Sequence, residues 1–341
     1  MNKDFNQIIL VGPCNSKYSK STGGAVVLFE QLIISLDKMN INYIVIDTNK
    51  NNYKSKIGAL VYIIKNLIKH SKSDSILFFN SSNDYLYISL ILPFLTYKKF
   101  ILRKFGGEFN DSYYGKRGFI ESLLCKYAIN KYDLIYLETK KLVKNATIFC
   151  PYIKYFPNVR TINSYKVKTK PFTKKLVYIG RIYKEKGINQ ILDNSEQLAK
   201  LNYTIDIYGP IIEPIYREKF NKNEFINYKG IIDSNEILVF LKDYDLLLFP
   251  SEDEGEGYPG IIIEAMSQGL PIIASSVGGV SEMVTNKENG YTYSLSSKVT
   301  LLDTILKVSD SNYLNLSSAA VESAKKYDSD IVTKKIIKEL L

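Results

Sequence analysis

The chain has 341 residues, 45% of them hydrophobic and 23% charged, with one histidine and a net charge of +10. At roughly 100–200 residues per domain this length accommodates two domains with full-sized cores. Cys14, Cys125 and Cys150 have no metal-ligand spacing and read as reduced, partly buried thiols of a cytoplasmic protein.

The charge is uneven. Residues 1–165 hold 23 Lys+Arg against 11 Asp+Glu, or +12, and the remainder holds 22 against 24, or −2. A basic first half suits anionic lipid head groups or a lipid-linked phosphate acceptor. Nucleic acid is disfavoured, because no RNP, KH, zinc-finger or helix-turn-helix signature accompanies the charge. MNKDFNQ leads into the short apolar run Ile8 to Val11, so no export segment is expected. Tyr85 to Tyr97, interrupted by Pro93, is shorter than the roughly 18 residues of a membrane span and reads as a buried helix.

In chain order, Ile8 to Val11 is a buried strand ended by Gly12-Pro13. A polar loop follows, and Gly23-Gly24 opens a helix over Ala25 to Met39 with apolar residues at Val26, Phe29, Leu32, Ile33 and Leu36. Strand, Gly-rich loop, helix is friendly to phosphate. It is neither G-x-G-x-x-G nor a P-loop, so NAD and ATP are not indicated. Asn42 to Asp47 is a strand, Ile57 to His70 a helix, and Ile76 to Asn80 and Phe100 to Lys104 are further strands. The last of these runs into Gly106-Gly107-Glu108. Phe119 to Tyr132 is helical and Leu134 to Leu137 a short strand. Strands alternating with helices predict a parallel sheet covered on both faces. His70 ends a surface-type helix, which argues against a catalytic role.

After Phe156-Pro157-Asn158 comes a polar, Lys-rich stretch, 161–175, that reads as a linker. The pattern then restarts: Leu176 to Ile179 is a strand, Gly180 a turn, and Ile188 to Leu192 the start of a helix. Arg181 and Lys186 flank the loop between them. Two cations in a loop at a strand's carboxyl end can hold both phosphates of a diphosphate. Tyr203 to Tyr208 and Ile226 to Lys229 are strands, and 235–242 is a helix. Leu246 to Phe249 is the strand before PSEDEGEGYPGIIIEAMSQGLPIIASSVGGVSEMVTNKENG, Pro250 to Gly290.

That stretch reads as acidic loop, helix, strand. Gly269 and Pro271 stop the helix, Ile272 to Ser275 is the next buried strand, and Gly278-Gly279 turns into another short helix. The helix starting near Gly260 offers free N–H groups and a positive dipole end to a phosphate. Glu264, one turn in, can accept hydrogen bonds from two neighbouring hydroxyls of a ribose. Glu256, eight residues earlier in the loop, can do so for a second polyol. Phosphate with a carboxylate to either side fits a nucleotide-sugar. Asn312 to Leu341 is helical with a break near Tyr327 to Asp330. Asp328-Ser329-Asp330 mimics a D-x-D metal motif, but its place at a helix start reads as capping.

The ensemble of Pro-Ser, Glu-Gly, Glu-Ala-Met, Gly-x-Pro, Gly-Gly and Asn289-Gly290, with the G-R-x4-K-G of Gly180 to Gly187, resembles the E-x7-E region of the retaining GT4 glycosyltransferases of GT-B fold. The resemblance implies an α/β protein with two Rossmann-like domains and a cleft between them. The first, 1–160, would face the acceptor. The second, 176–325, would bind the donor, and 326–341 would be a terminal helix returning to the first. It implies a metal-independent glycosyltransferase (EC 2.4.-.-) without cofactor, moving a sugar from a UDP- or GDP-sugar to a saccharide or lipid-linked acceptor. The setting would be surface polysaccharide assembly at the inner membrane face. Arg181, Lys186 and Glu256 would be catalytic. Glu264, Tyr258, Pro259, Gly260, Gly180, Gly23 and Gly24 would bind the donor. Gly106, Gly107 and Glu108 stand where the family commonly has a histidine and become candidate sugar or acceptor contacts. The alternative is a nucleotide-sugar-binding protein or partner subunit without transfer activity. An oxidoreductase lacks its G-x-G-x-x-G here.

Overall fold

The computed structural model describes residues 7–16, 23–82, 84–106, 109–169, 171–234 and 236–340. They divide into two compact units, Met1–Thr161 with Ser329–Leu341, and Ile162–Asp328.

The first unit contains β1 (Gln7–Gly12), α1 (Gly24–Lys38), β2 (Tyr43–Asp47), α2 (Lys56–Lys69), β3 (Ser75–Ser81), α3 (Tyr85–Ile88), β4 (Lys99–Lys104), α4 (Phe109–Tyr113), α5 (Phe119–Ile129), β5 (Leu134–Leu137), α6 (Lys140–Ala146) and β6 (Ile153–Tyr155). Its strands are parallel in the order β2-β1-β3-β4-β5-β6. A parallel sheet is covered on both faces, so its strands are continuous apolar runs. Successive side chains alternate between those faces. Ile9, Val11, Leu77 and Phe79 pack with α2, α3, α5 and α6. Ile8, Leu10, Ile76 and Phe78 pack with α1 and a C-terminal helix.

The second unit contains β7 (Lys175–Ile179), α7 (Ile188–Lys200), β8 (Thr204–Tyr208), α8 (Ile215–Asn221), β9 (Asn227–Tyr228), α9 (Ile237–Phe240), β10 (Leu246–Phe249), α10 (Gly260–Ser267), β11 (Ile272–Ser275), α11 (Val280–Met283), β12 (Gly290–Tyr293), α12 (Leu301–Ile305) and α13 (Asp310–Ala324). Its parallel order is β12-β11-β10-β7-β8-β9. The final helix, α14 (Ser329–Leu340), belongs to the first unit. There Ile336, Ile337 and Leu340 join the α1 core, and the Ser35 and Ser329 hydroxyls bond at 2.6 Å.

Both sheets reverse their strand order once, between β1 and β3 and between β7 and β10. Right-handed crossovers carry the chain away from such a point in both directions. The loops there diverge and leave a crevice at the carboxyl edge.

Some segments differ from the reading of the sequence. Tyr85 to Tyr97 is not one buried helix. It is a short helix and a 3-10 turn, Leu92–Phe94, with Pro93 at its start, and Phe94 is 85% exposed. Pro93 has no N–H to continue a helix. Of the stretch read as a linker, residues 162–169 and 171–175 are part of the second unit. Lys166 N donates to Ser267 O (2.9 Å), Lys168 N to Ser317 Oγ (2.9 Å) and Thr173 N to Asp245 Oδ2 (2.8 Å). The strand β12 and the helices α4, α6, α8 and α12 were not read from the sequence. All are short, and none has a long periodic signal. Asp328 and Asp330 turn to separate partners. Asp328 accepts from Tyr165 Oη (2.6 Å) and Asp330 pairs with Lys38 (2.7 Å).

Candidate functional site

Three loops leave adjacent strands of the second sheet on its carboxyl edge: 180–187 after β7, 250–259 after β10 and 276–279 after β11. The first two flank the point where strand order reverses. They are tied together by Glu252 N to Glu185 O (2.7 Å), Ser251 Oγ to Glu185 O (3.3 Å) and Gln190 Nε2 to Pro250 O (3.2 Å). Gly187 lies at φ +71°, and a Cβ there would stand 1.8 Å from Pro250 O. Only glycine allows that conformation and that approach together.

Glu256 is where the loops meet. Its carboxylate pairs with the Lys186 ammonium, and its Oε1 also accepts from Ser251 Oγ at 2.9 Å. Its carbonyl accepts from Gly279 N at 2.8 Å. Gly278, at φ +45°, would bring a Cβ to 2.2 Å from that carbonyl. Asp253 stands 3.9 Å from Lys186 Nζ. The structure thus joins Lys186 and Glu256 directly. Ser251, Asp253 and the Gly278-Gly279 turn complete their surroundings, which sequence reasoning had not assigned. The Pro-Ser at a strand end and the paired glycines were the available signals.

Arg181 is exposed, with its guanidinium 5.3 Å from the Tyr183 ring. Its backbone is held from below: Tyr178 Oη donates to Arg181 O at 2.8 Å. Burial, and next the Glu256 carboxylate, push the Tyr178 phenol up, so it stays a donor. The same side chain explains Gly180, where a Cβ would meet Tyr178 Oη at 2.9 Å. Helix α10 starts at Gly260, with Pro259 as a cap that offers no side-chain bond. Its first N–H groups have no partner within the helix. Glu264 lies one turn in and half-buried. Tyr258 is 2% exposed. Its hydroxyl donates to Glu282 Oε2 (2.7 Å) and its ring meets Tyr327 edge-on, so its side chain holds the loop from inside.

Residues 160–327 match the family model described as glycosyl transferases group 1. The second unit belongs to that family. Among relatives of glycosyl transferases group 1, the chain is 34% identical over 147 residues to the UDP-Gal:alpha-D-GlcNAc-diphosphoundecaprenol alpha-1,3-galactosyltransferase of Escherichia coli, covering 41% of this chain and 38% of that protein. It is 28% identical over 170 residues to the sulfoquinovosyl transferase SQD2 of Arabidopsis thaliana, covering 48% of this chain and 32% of that protein. These alignments span well under half of the relatives' own lengths. In fold, the chain matches the crystal structure of Anabaena HepE in complex with UDP, with a TM-score of 0.74 and 14% identity over 98% of this chain and 99% of that one. The architecture is that of the GT-B glycosyltransferases.

The remaining candidates lie in the first unit. Gly23 caps α1 and Gly24 opens it, and Gly23 has an ordinary extended φ of −73°. A Cβ added at either would meet nothing within 4 Å. Neither turn geometry nor packing therefore demands glycine there. Gly106 sits at φ +82° and its N–H donates to Glu138 Oε2 at 3.2 Å, so the turn itself requires it. Gly107 and Glu108 lie outside the described residues. His70 ends α2. Burial, with Lys69 and Lys72 nearby, lowers its pKa.

Proposed function

We propose that this chain, whose second unit belongs to glycosyl transferases group 1, is a retaining glycosyltransferase using a nucleoside diphosphate-sugar. The observation that carries the reading is the pairing of Lys186 with Glu256 at the reversal point of the second sheet, in the loop that leads into α10. Arg181 and Lys186 meet the two phosphates, and the α10 N-terminus adds its dipole. Glu264 accepts from the ribose hydroxyls. Glu256 holds Lys186 in place and offers its remaining lone pairs to hydroxyls of the donor sugar.

In the reaction, the bond from the anomeric carbon to the phosphate oxygen breaks as the acceptor oxygen bonds to the same face of that carbon. The acceptor's proton passes to the departing phosphate oxygen. Negative charge grows on the leaving diphosphate, and fixed cations stabilise it most at that moment. The chain's own cations meet that charge, so the reading expects no metal requirement. HepE binds UDP and the Escherichia coli relative takes UDP-Gal, which favours a uridine donor over GDP. That relative's diphosphoundecaprenol acceptor and its kin in polysaccharide assembly favour a lipid-linked saccharide acceptor here. A thermal-shift screen of UDP-, GDP- and ADP-sugars, followed by product analysis with the stabilising donor, tests the reading. No stabilisation by any donor would overturn it. Stabilisation without transfer to any saccharide or lipid-linked acceptor would favour a binding subunit.

A lipid-linked acceptor calls for contact with a bilayer. Among the described residues no helix is long and apolar enough to cross one. In the first unit, α2 exposes Ile57, Leu60, Val61 and Ile68, α5 exposes Phe119, Ile120 and Leu123, and Phe94 is exposed nearby in sequence to α3. Residues 54–73 carry five lysines and no acidic residue. On α2 the apolar side chains are flanked by lysine alone, which suits the surface of an anionic bilayer. Flotation with phosphatidylglycerol vesicles checks this: binding lost in neutral phosphatidylcholine, and in Ile57→Asp/Val61→Asp, is expected.

A further inference from the structure

A cavity of about 360 Å³ opens at the amino ends of β7 and β10. Volumes of roughly 300–1,000 Å³ suit small-molecule ligands. The loops 180–187 and 250–259 leave the carboxyl ends of the same two strands. These strands have five and four residues, which at about 3.3 Å per residue holds the two edges roughly 15 Å apart. The cavity is therefore separate from the candidate donor site. Its wall is built within the second unit. Asp245 Oδ2 accepts from Thr173 N (2.8 Å), Thr173 Oγ1 (2.7 Å) and Lys175 N (3.0 Å), and Asp245 Oδ1 accepts from Tyr313 Oη (3.1 Å). The Asp245 charge is thus engaged inside the fold.

Gln268 lines the cavity and is 1% exposed. Its Nε2 donates to Ser164 O and to Ser267 Oγ, each at 3.1 Å. Ser164 O can only accept, which fixes the orientation of the amide. Gln268 Oε1 is left buried and without a hydrogen-bond partner among the described residues. Buried polar atoms are almost always partnered, so this oxygen calls for a donor from within the cavity. Lysines surround it. Lys166, Lys168, Lys175 and Lys242 line the cavity against the carboxylates of Asp243 and Asp245. Lys168 Nζ donates to Lys242 O at 2.7 Å. Lys166, Lys175 and Lys242 are exposed and make no ion pair among the described residues.

We infer that this cavity binds the phosphate monoester of a polyol, at a site remote from the reaction. The phosphate meets Lys166, Lys175 and Lys242, and a hydroxyl of the same molecule donates to Gln268 Oε1. Neither half of such a ligand suffices by itself. A neutral sugar leaves the lysines facing one another with no counter-charge. Sulfate, or a fully ionised phosphate, has no proton to give Gln268 Oε1. Asp243, exposed on the lining, repels a second phosphate, so a monophosphate fits better than a diphosphate. Such binding holds whether or not the chain transfers a sugar.

Calorimetry on the full chain, with and without UDP, tests it. The titrants are glucose 1-phosphate, glucose 6-phosphate, glycerol 3-phosphate and the soluble lipid dihexanoyl phosphatidylglycerol. Methyl glucoside, sulfate and inorganic phosphate serve as partial ligands. At least one phosphorylated polyol is expected to bind about fivefold or more tighter than every partial ligand, in the presence of UDP as in its absence. Binding of the lipid alone would support the site and assign the phosphate to a membrane head group. Lys175→Met/Lys242→Met should weaken the ester about tenfold or more, and Arg181→Ala should leave it unchanged. Gln268→Leu should reduce the ester's advantage over inorganic phosphate to about twofold or less. Should Gln268→Leu not fold, the double lysine variant still decides, because both side chains are exposed. Binding by no ester, a partial ligand bound as tightly as the best ester, displacement by UDP, loss in Arg181→Ala, or indifference to the double lysine variant would each overturn the inference.

Discussion

The Lys186 ammonium is held on the carboxylate of Glu256, 70 residues further along the chain, and each side chain is only 13% exposed. A largely buried pair of this kind is costly to break from one side, because the surviving charge loses its partner. Urea unfolding of Lys186→Met, Glu256→Gln and the double variant should show a coupling energy of about 0.5–3 kcal/mol. Additive single effects would mean that the pair does not contribute.

The two groups should also separate kinetically. Arg181 is exposed, so Arg181→Ala should leave the melting temperature unchanged. Loss of a cation that meets developing charge should lower kcat by about 10²–10³-fold. An unaltered kcat would remove Arg181 from the reaction.

Glu264 should act in binding more than in turnover. Charge-assisted hydrogen bonds are worth about 1.5–3 kcal/mol, so Glu264→Gln should weaken a nucleoside diphosphate by about tenfold in calorimetry. If free UDP binds the variant as it binds the natural protein, the ribose assignment is wrong.

The glycines make a contrasting pair. Gly187→Ala places a Cβ against the Pro250 carbonyl at a positive φ, and should destabilise by about 1–3 kcal/mol or more. Gly23→Ala meets only open space, and its stability should stay within about 0.5 kcal/mol. Any loss of donor binding in Gly23→Ala then reports on close ligand approach. Equal melting temperatures for both variants would contradict the packing argument.

If Arg181, Lys186 and the α10 terminus supply the positive charge as proposed, transfer is expected to persist in EDTA. Activity lost in EDTA and restored by a divalent cation would require a metal in the donor site.

Much of the local structure was legible in the sequence. Leu246 to Phe249 and Ile272 to Ala274 are unbroken apolar runs and became the body of β10 and β11, because a strand covered on both faces has no polar side to show. Gly269 and Pro271 marked the end of α10 through their backbone chemistry alone. The E-x7-E spacing placed one carboxylate in a loop and the other a turn into the helix, since both positions depend on neighbours within a few residues. Short elements such as β12 escaped, having too few residues for a periodicity.

Strand order was not legible, and it decided the rest. Nothing in the run 180–187 says that its neighbour will be the loop after β10, yet that adjacency brings Lys186 onto Glu256 and makes Gly187 obligatory. The same holds at the opposite edge. As sequence, Thr173, Lys175 and Asp245 are polar residues at the starts of two strands, and only the pairing of β7 with β10 turns them into the wall of a cavity. Periodicity records which face of its own element a residue occupies. Which distant residue shares that face is set by how the crossovers pack, and that is a property of the folded chain as a whole.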